Sequence, residues 1–363
     1  MARGVYVVAA TAATGKSLVT VGLVDLMRSH VDSVGFFRPL TAAEPGDDPM
    51  VVLARTALRL PAELARGGIS RSEARALLAA GERDEVFRRC ISGYSELAAL
   101  VDVVIIDGSD FSDGRDLGTE FDLNAELANH LGAIVVAVVA GAGDSARVGG
   151  AAQPTAALVE SVDLARKEVV AAGCSLAAII VNRVPAELVE HARTSVHRGD
   201  SGRPVYVLPE AAELTWPSVG EAAEAIGARF ISGSGGRDRD VRSVRVAAMT
   251  VEHFLPLLED GALVITPGDR ADVLVATLAA SLSAHFPVPA GVLLTGGIAP
   301  PQVISELLAT APFPVLALDV DTYSAARAFA EVHAELATGD QRKVAAALGV
   351  WARGVDATEL LER

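Results

Sequence analysis

Cysteine, aromatic and basic residues are all scarce in this 363-residue chain. Its two cysteines, Cys90 and Cys174, lie far apart and outside any Cys-x-x-Cys or Cys/His pattern. This spacing argues against a disulfide framework or a structural zinc site and favours a reducing compartment. Lys and Arg number 31 against 46 Asp and Glu, so the net charge is −15. Because nucleic-acid duplexes and anionic membranes both need a basic face, we expect neither as a partner.

Long apolar runs are missing as well. The longest aliphatic stretch, 131–142, is shorter than the ~20 residues that cross a bilayer. The apolar run at the start of the chain is too short and too interrupted for the hydrophobic region of a secretory signal peptide. We therefore expect a soluble, cytoplasmic protein.

Aliphatic residues dominate the remaining composition. Hydrophobic residues make up 51% of the chain but aromatic residues only 4%, so the cores must be filled by Ala, Val, Leu and Ile. Such unbroken aliphatic runs are typical of parallel sheets, whose strands are buried on both faces. At roughly 150 residues per domain, the length predicts two or three domains.

The first part of the chain alternates strand runs with helical patterns. Strands alternating with helices predict right-handed βαβ units. We therefore predict an α/β fold with a doubly wound, mostly parallel sheet. The strand candidates are 5–9, 33–37, 103–106, 133–139, 177–181 and 205–208, and the helical candidates include 16–30, 83–99 and 154–172.

A segment rich in glycine and charge, 232–243, is typical of a linker. It separates a first domain, 1–231, from a second, smaller α/β domain, 244–340. The last residues, 341–363, have a helical and polar pattern that predicts a tail toward a further domain. In the second domain the strand candidates are 245–249, 263–266, 291–295 and 314–319, with helices at 271–284 and 301–310.

The clearest local motif is a small-residue loop that follows the first strand and opens a helix. Backbone amides of such a loop face an anion, and a Lys meets the terminal phosphates while a hydroxyl meets Mg²⁺. The sequence therefore predicts a phosphate-binding loop with a solvent-facing Lys16. Ala10 stands where the standard motif has its first glycine, so a plain strand-to-helix turn remains the alternative. The loop residues assigned to nucleotide binding are Thr11, Thr14, Gly15, Lys16 and Ser17.

Polar residues also end several predicted strands. Ligands of open α/β sheets bind at the carboxyl ends of strands. Asp107 directly follows the strand candidate 103–106. We predict that it holds Mg²⁺ together with Ser17. Asp110 lies close behind. For each of these positions, a structural pair or turn is the alternative. The further nucleotide-site candidates, among which an Asn can contact a base edge, are Arg38, Asn182, Pro209 and Glu210.

Two glycine-containing turns follow strands of the second domain. Such turns can form anion-binding nests, or they can serve the loop structure alone, and the sequence leaves both alternatives open. The residues concerned are Gly268, Asp269, Arg270, Thr295, Gly296 and Gly297.

Together these residues resemble the N-terminal region of the long-form phosphate acetyltransferases, over essentially the whole chain. Residues 1–231 resemble that family's P-loop domain, which is similar to dethiobiotin synthetase, and residues 244–340 resemble its DRTGG domain. The matching segments, in the family's order, are Gly15-Lys16-Ser17, Phe37-Arg38-Pro39, Asp107-Gly108, Val181-Asn182-Arg183, Leu208-Pro209-Glu210 and 265–272.

The resemblance implies a role beside a separate catalytic domain. Enzymes of this family interconvert acetyl-CoA plus phosphate with acetyl phosphate plus CoA in acetate metabolism, through a domain C-terminal to this region. The chain is therefore expected to carry no catalytic residues of its own and to act as a regulatory and oligomerisation region. The implied cofactors are ATP or ADP with Mg²⁺, and the implied partners are the catalytic domain, in cis or in trans, and further copies of the chain.

A second hypothesis is a stand-alone ATP-dependent ligase of the dethiobiotin synthetase type. It would use Lys16, Ser17 and Asp107 for phosphoryl transfer. Dethiobiotin synthetase carries a Glu-Gly-Ala-Gly-Gly segment where this chain has 107–111, and a Lys where Arg38 stands. Because a forked guanidinium does not replace a point charge, the substrate half of that enzyme's site is kept less well than its nucleotide half.

Overall fold

The computed structural model describes residues 2–11, 14–109, 117–141, 155–198, 202–332, 334, 336 and 340–361. It divides the chain into two compact units. Unit 1 comprises Met1–Ala211 and Leu336–Arg363, and unit 2 comprises Ala212–Glu335. The border therefore lies before the predicted linker at 232–243, and the C-terminal residues belong to unit 1 rather than forming a separate tail.

Unit 1 is built from alternating strands and helices. Their bounds are β1 Arg3–Ala9, α1 Lys16–Arg28, β2 Val34–Thr41, α2 Pro49–Thr56, β3 Ala65–Ser70, α3 Arg71–Ala79, α4 Arg83–Ala98, β4 Val103–Asp107, α5 Leu117–His130, β5 Ile134–Ala140, α6 Thr155–Ala171, β6 Leu176–Val184, α7 Val189–Arg198 and β7 Val205–Pro209.

The strands of unit 1 form a parallel seven-stranded sheet in the order β3-β2-β4-β1-β5-β6-β7. Strand β4, Val-Val-Ile-Ile-Asp, is buried along its whole length, as aliphatic residues covered on both faces should be. Register pairs such as Val7↔Asp107 bring the carboxyl ends of β1 and β4 together. The predicted fold class is confirmed, and every strand candidate of the first domain lies in or overlaps a strand of this sheet.

Strand β3 is a strand that the aliphatic pattern does not predict. Its sequence, Ala-Arg-Gly-Gly-Ile-Ser, has no apolar run. Two glycines let it approach β2 closely: a Cβ on Gly68 would lie 2.4 Å from the carbonyl oxygen of Pro39. Backbone proximity, rather than side-chain hydrophobicity, places this edge strand.

Unit 2 contains a smaller five-stranded sheet in the order β8-β12-β11-β10-β9, in which only β8 runs antiparallel, against β12, among the described strands. Strand β8 ends where the predicted linker begins. Because it pairs with β12, it belongs to unit 2, which therefore starts N-terminal to residue 232. The bounds are α8 Val219–Ile226, β8 Arg229–Ser232, β9 Ser243–Val246, α9 Val251–Phe254, β10 Ala262–Pro267, α10 Ala271–Ser281, β11 Gly291–Thr295, α11 Gln302–Leu308, β12 Val315–Ala317 and α12 Thr322–Ala330.

Helices cover both faces of the unit 2 sheet. One core joins α9, α10 and α11 to strand residues such as Val292 and Leu294. The opposite core joins α8 and α12 to the alternating residues, such as Leu293. The chain therefore leaves β11 toward one face and β12 toward the other, which opens a crevice at their carboxyl ends.

The C-terminal helices α13, Gln341–Gly354, and α14, Ala357–Leu361, pack on unit 1. Trp351 of α13 is 5% exposed and lies against Gly22 in the middle of α1. The Tyr206 hydroxyl of β7 donates to the Glu359 carboxylate of α14 at 2.9 Å. Apolar burial against α1 explains why these residues are not the polar extension that the sequence predicts. Across the described residues, no helix has both the length and the apolar character that a bilayer span requires.

Candidate functional site

The loop between β1 and α1 ends at a glycine with a left-handed backbone. Gly15, the N-cap of α1, has φ 67° and ψ 35°, a conformation that glycine adopts without a steric penalty. A Cβ at this position would also lie 2.8 Å from the Asn182 Nδ2 atom. The turn therefore requires Gly15, and Lys16 begins the helix directly behind it.

Asp107, at the end of β4, is the centre of a buried polar cluster. Lys16 Nζ donates to its Oδ1 atom, and the Thr20 hydroxyl donates to the same oxygen at 2.9 Å. Arg38 Nη1 donates to Oδ2 at 2.8 Å. The order β2-β4-β1 explains the meeting, because the carboxyl ends of these parallel neighbours share one edge of the sheet.

A second carboxylate completes this cluster. Arg38 Nε lies 3.5 Å from Asp48 Oδ2. Asp48 is fully buried and also accepts the backbone N–H groups of Ala42 at 2.7 Å and Met50 at 2.9 Å, so it caps α2. Two cations and two carboxylates therefore balance one another. We call Lys16, Arg38, Asp48 and Asp107 the charge cluster.

The surroundings of Asp107 favour its ionised form. Burial by itself would raise the pKa of this carboxyl group. The charges of Lys16 and Arg38, together with hydrogen bonds from Lys16 and Thr20, outweigh that effect and lower the pKa below its ordinary value. Asp107 is therefore a carboxylate that serves as counter-ion to both cations.

The sequence predicts that Lys16 faces solvent, but the structure shows it buried. It is 2% exposed, because β4 brings a carboxylate from 91 positions away against its ammonium group. A Lys without such a partner would turn toward water, since burying an unpaired charge is costly. Lys16 is thus in place for an anion at the loop but is paired with Asp107.

The donor set at Asp107 does not fit a Mg²⁺ ligand in this arrangement. Oδ1 already accepts from Lys16 and Thr20, and Oδ2 accepts from Arg38. A divalent cation bound there would face two cationic side chains at hydrogen-bond distance, and like charges repel strongly in a buried site. Ser17, the other predicted metal ligand, is half-buried in the first turn of α1, and the hydroxyl on Asp107 is that of Thr20.

The other assigned loop residues hold the loop itself. Asn182 Nδ2 donates to the carbonyl oxygens of Thr14 at 2.8 Å and Gly15 at 3.2 Å. The Thr11 hydroxyl accepts the backbone N–H of Ala140 at 3.0 Å. The amide nitrogen of Asn182 therefore ties β6 to the phosphate loop, whereas the sequence predicts a contact with a base edge.

Arg183 and Glu210 form an ion pair beside this loop. Arg183 Nη2 lies 3.3 Å from Glu210 Oε1, and Pro209 ends β7 opposite Val184. Arg183 has φ 65°, which is unusual for a residue with a side chain and costs backbone strain. A Cβ on Gly15 would lie 3.4 Å from Arg183 Cδ, so the Arg183 side chain runs along the loop.

Sequence reasoning missed Thr20, Asp48 and Arg183 as members of the site. Asp48 precedes Pro49 at the start of α2, and an Asp-Pro pair before an apolar helix is a recognisable N-cap signal. Nothing local marks Thr20 or the strained backbone of Arg183. Asp110 lies outside the described residues.

The glycine turns of unit 2 have mainly structural contacts. Arg270 forms a two-pronged ion pair with Asp272, with both N–O distances 2.9 Å, and donates to the Met249 carbonyl at 3.0 Å. The Thr295 and Thr322 hydroxyls lie 2.8 Å apart. These contacts fit the structural alternative for Arg270 and Thr295.

The glycines of these turns are shaped for close packing. A Cβ on Gly268 would collide with the carbonyl oxygen of Ile298, 1.7 Å away, and Gly296 and Gly297 have φ 82° and 64°. Asp269 lies in the turn between β10 and α10, where its carbonyl accepts the Ala271 N–H at 2.9 Å. The turns therefore fix the position of the loop around Ile298.

Comparisons with known proteins match two family models to successive parts of the chain. A family model described as the AAA domain matches residues 3–218, and one described as the DRTGG domain matches residues 221–332. Phosphate acetyltransferase of Nitratidesulfovibrio vulgaris is 30% identical over 375 residues, covering 100% of this chain and 52% of that protein. Phosphate acetyltransferase of Synechocystis sp. is 27% identical over 369 residues, covering 99% of this chain and 52% of that protein.

The chain thus spans about half the length of the curated relatives it matches. Among solved structures, the septum site-determining protein MinD complexed with Mg-ADP from Pyrococcus horikoshii is similar, with 16% identity and a TM-score of 0.34 over 59% of this chain and 84% of that chain. By the AAA-domain match over more than half of its residues, and the DRTGG match that follows, the chain belongs to the AAA-domain family and corresponds to an N-terminal region of the long-form phosphate acetyltransferases.

Proposed function

We propose that this chain is the regulatory and self-associating region of a phosphate acetyltransferase, whose parent reaction interconverts acetyl-CoA plus phosphate with acetyl phosphate plus CoA. We further propose that its phosphate loop binds the phosphates of ATP or ADP. The charge cluster behind the loop carries this proposal. Buried ion pairs are often no more stabilising than apolar residues of similar volume, so four buried charges behind a phosphate loop favour a binding role over a purely structural one.

Binding would proceed by a change of partner for Lys16. Its ammonium group leaves Asp107 and pairs with a nucleotide phosphate, which adds a charge-assisted contact. Arg38, held by Asp48, and Thr20 stay on Asp107 and keep that carboxylate compensated. The N-terminus of α1 supplies further positive potential. The Ala10 amide takes no part, because it donates to Val138 in the sheet at 2.8 Å.

The packing of α13 on α1 supports a regulatory role. Helix α1 begins at the phosphate loop, and its middle is covered by Trp351 of α13. A shift of α1 on nucleotide binding would therefore displace the C-terminal helices. In the parent enzyme the catalytic domain is C-terminal to this region, so such a displacement could reach it.

The self-association part of the proposal rests on the resemblance to the phosphate acetyltransferases. The most exposed apolar side chains of unit 2 do not form one patch, because Val303 of α11 and Tyr323 of α12 lie on opposite faces of the sheet. Analytical ultracentrifugation tests this part of the proposal: a monomer at all accessible concentrations would contradict it.

Titration calorimetry with ADP tests the nucleotide site. We expect binding by the unmodified chain, and a roughly ten- to hundredfold loss of affinity in Lys16→Ala, since a charge-assisted contact contributes about 1.5–3 kcal/mol. Binding that is absent at millimolar ADP, or unaffected by Lys16→Ala, would contradict the nucleotide site. Turnover of ATP with a diamine substrate and bicarbonate would instead support the ligase hypothesis.

A further inference from the structure

Unit 2 contains a cavity of about 200 Å³, which lies apart from the phosphate loop and is bordered on one side by the glycine turn at Gly297. It opens in the crevice where the chain leaves β11 toward one face and β12 toward the other. Such crevices at the carboxyl ends of parallel strands are the usual ligand positions of open α/β sheets. The lining residues that matter for recognition are Arg229, Ile231, Gly297, Ile298, Ser305 and Asp319.

The lining combines apolar walls with a few polar side chains, which is the usual composition of a small-molecule site. Ile231 and Ile298 are each 44% exposed at the cavity. Arg229, at the start of β8, pairs in register with Ala317 near the end of β12. The antiparallel strand β8 therefore brings a cation to the same edge at which Asp319 follows β12.

The order of residues around the cavity matches the logic of nucleotide-binding βαβ units. In these units a glycine turn follows the first strand, and an acidic residue about 20 positions on, after the second strand, accepts hydrogen bonds from ribose hydroxyls. Here Gly296 and Gly297 follow β11, α11 crosses over, and Asp319 follows β12. Strands β11 and β12 are parallel neighbours, with Leu294 opposite Ala317.

The two charged side chains at the cavity have no structural task within the described part of the chain, whereas the Ser305 hydroxyl donates to the Pro300 carbonyl at 3.3 Å. Neither Arg229 nor Asp319 makes a side-chain hydrogen bond or ion pair there. The nearby cap of α12 is supplied by Asp321, which accepts the Ser324 N–H at 2.9 Å. Asp319 is therefore free to meet a ligand.

We propose that this cavity binds a ribonucleoside phosphate. The base lies between Ile231 and Ile298, the ribose hydroxyls donate to the Asp319 carboxylate, and a phosphate pairs with Arg229. The cavity is below the roughly 300–1,000 Å³ of sites that enclose a drug-sized ligand, so it holds the base while sugar and phosphate lie at its rim. Gly268 has a supporting role, because its missing side chain lets the loop carrying Ile298 pack against β10.

This site is separate from the phosphate loop, and the two proposals stand or fall independently. The test is titration calorimetry of the full chain with AMP, comparing Asp319→Asn and Arg229→Met with the unmodified protein. Asp260→Asn and Arg327→Met are matched controls, because both side chains are exposed and lie outside the cavity. We expect a roughly ten- to hundredfold weaker affinity in the two cavity variants, as loss of a charge-assisted contact predicts, and no change in the controls.

A ligand variant separates ribose recognition from a general effect of charge. AMP that lacks both ribose hydroxyls should bind the unmodified chain more weakly than AMP. For Asp319→Asn, the two ligands should have equal affinity. Ala299→Trp, at the exposed rim next to Ile298, should block binding without changing any charge, and it keeps the test valid if Asp319→Asn unfolds. AMP binding that survives all three cavity variants, or no AMP binding at millimolar concentration, would overturn the proposal.

Discussion

The indole ring of Trp351 lies against Gly22 in the middle of α1. A Cβ on Gly22 would come within 2.2 Å of Trp351 Cδ2, so the ring occupies the space that any side chain at this position would need. The contact attaches the C-terminal helix α13 to the helix that starts at the phosphate loop. It explains why a glycine occurs inside a helix, where it is otherwise destabilising by about 1 kcal/mol relative to alanine.

The first prediction is that the effect of Gly22→Ala changes sign with the residue at position 351. In the unmodified background we expect a loss of roughly 1–3 kcal/mol in the free energy of unfolding, because the new methyl group overpacks against the ring. In a Trp351→Ala background, the same substitution should stabilise α1 by up to about 1 kcal/mol. Urea unfolding of the four proteins measures this cycle, and additive effects would show that the ring does not cover Gly22.

The second prediction concerns the charge cluster. Asp107→Asn removes the counter-ion of two buried cations, Lys16 and Arg38, and breaking a buried pair in this way costs roughly 3–5 kcal/mol. Asp47→Asn, at an exposed neighbour of Asp48, is the matched control and should change stability little. Urea unfolding at neutral pH compares the two variants. Equal stability of both would mean that the cations are not held by Asp107.

The third prediction is the pH dependence of this effect. The pKa of Asp107 is lowered in the folded protein, so the unfolded chain takes up the proton first as the pH falls. The stabilisation from Asp107 is therefore fully present above its ordinary pKa of 3.8 and is lost as the pH falls through the lower folded value. The difference in unfolding free energy between the unmodified chain and Asp107→Asn should shrink on acidification. A difference that grows instead would contradict the lowered pKa.

How far the sequence predicts the fold depends on which physical signal each element carries. Strands β4 and β5 are covered on both faces, so their aliphatic runs identify them without any tertiary knowledge. Strand β8 is partly exposed along its whole length and is defined by its pairing with β12. Its position, and with it the border of unit 2, cannot be read from hydrophobicity.

The candidate sites show the same contrast. Gly15 and Lys16 belong to a local motif, and the sequence predicts their place at the start of a helix. The direction of the Lys16 side chain depends on Asp107, which only the sheet order brings near. Arg229 and Asp319 are likewise joined by the antiparallel pairing of two strands, so no spacing in the sequence marks them as one site.

The fourth prediction is that the thiol groups are unreactive in the folded protein. Burial raises the pKa of Cys90 to about 12, and it also raises the pKa of Cys174. Because the thiolate is the reactive form, a disulfide reagent at mildly alkaline pH should label the native chain slowly and the urea-unfolded chain rapidly. Cys90→Ala and Cys174→Ala identify which thiol reacts. Rapid native labelling of Cys90 would show that the interface of α4 with the sheet opens readily.

The last prediction is that ADP binds the phosphate loop with little dependence on Mg²⁺. Asp107 is compensated by Lys16 and by Arg38, whose Nη1 atom lies 2.8 Å from its Oδ2 atom. After Lys16 turns to a phosphate, we expect Arg38 to stay in this position. A guanidinium group then holds the position beside the carboxylate that a metal ion would need, and it supplies positive charge near the phosphates without one. We expect the ADP affinity measured by calorimetry to be similar, within about threefold, in excess Mg²⁺ and in excess chelator, a difference below 1 kcal/mol. Arg38→Lys provides the contrast, because a single ammonium group cannot contact Asp48 and Asp107 together as the fork does, and a dependence on Mg²⁺ should emerge in this variant. A strong requirement for Mg²⁺ in the unmodified chain would show that Arg38 moves away from Asp107 when nucleotide binds.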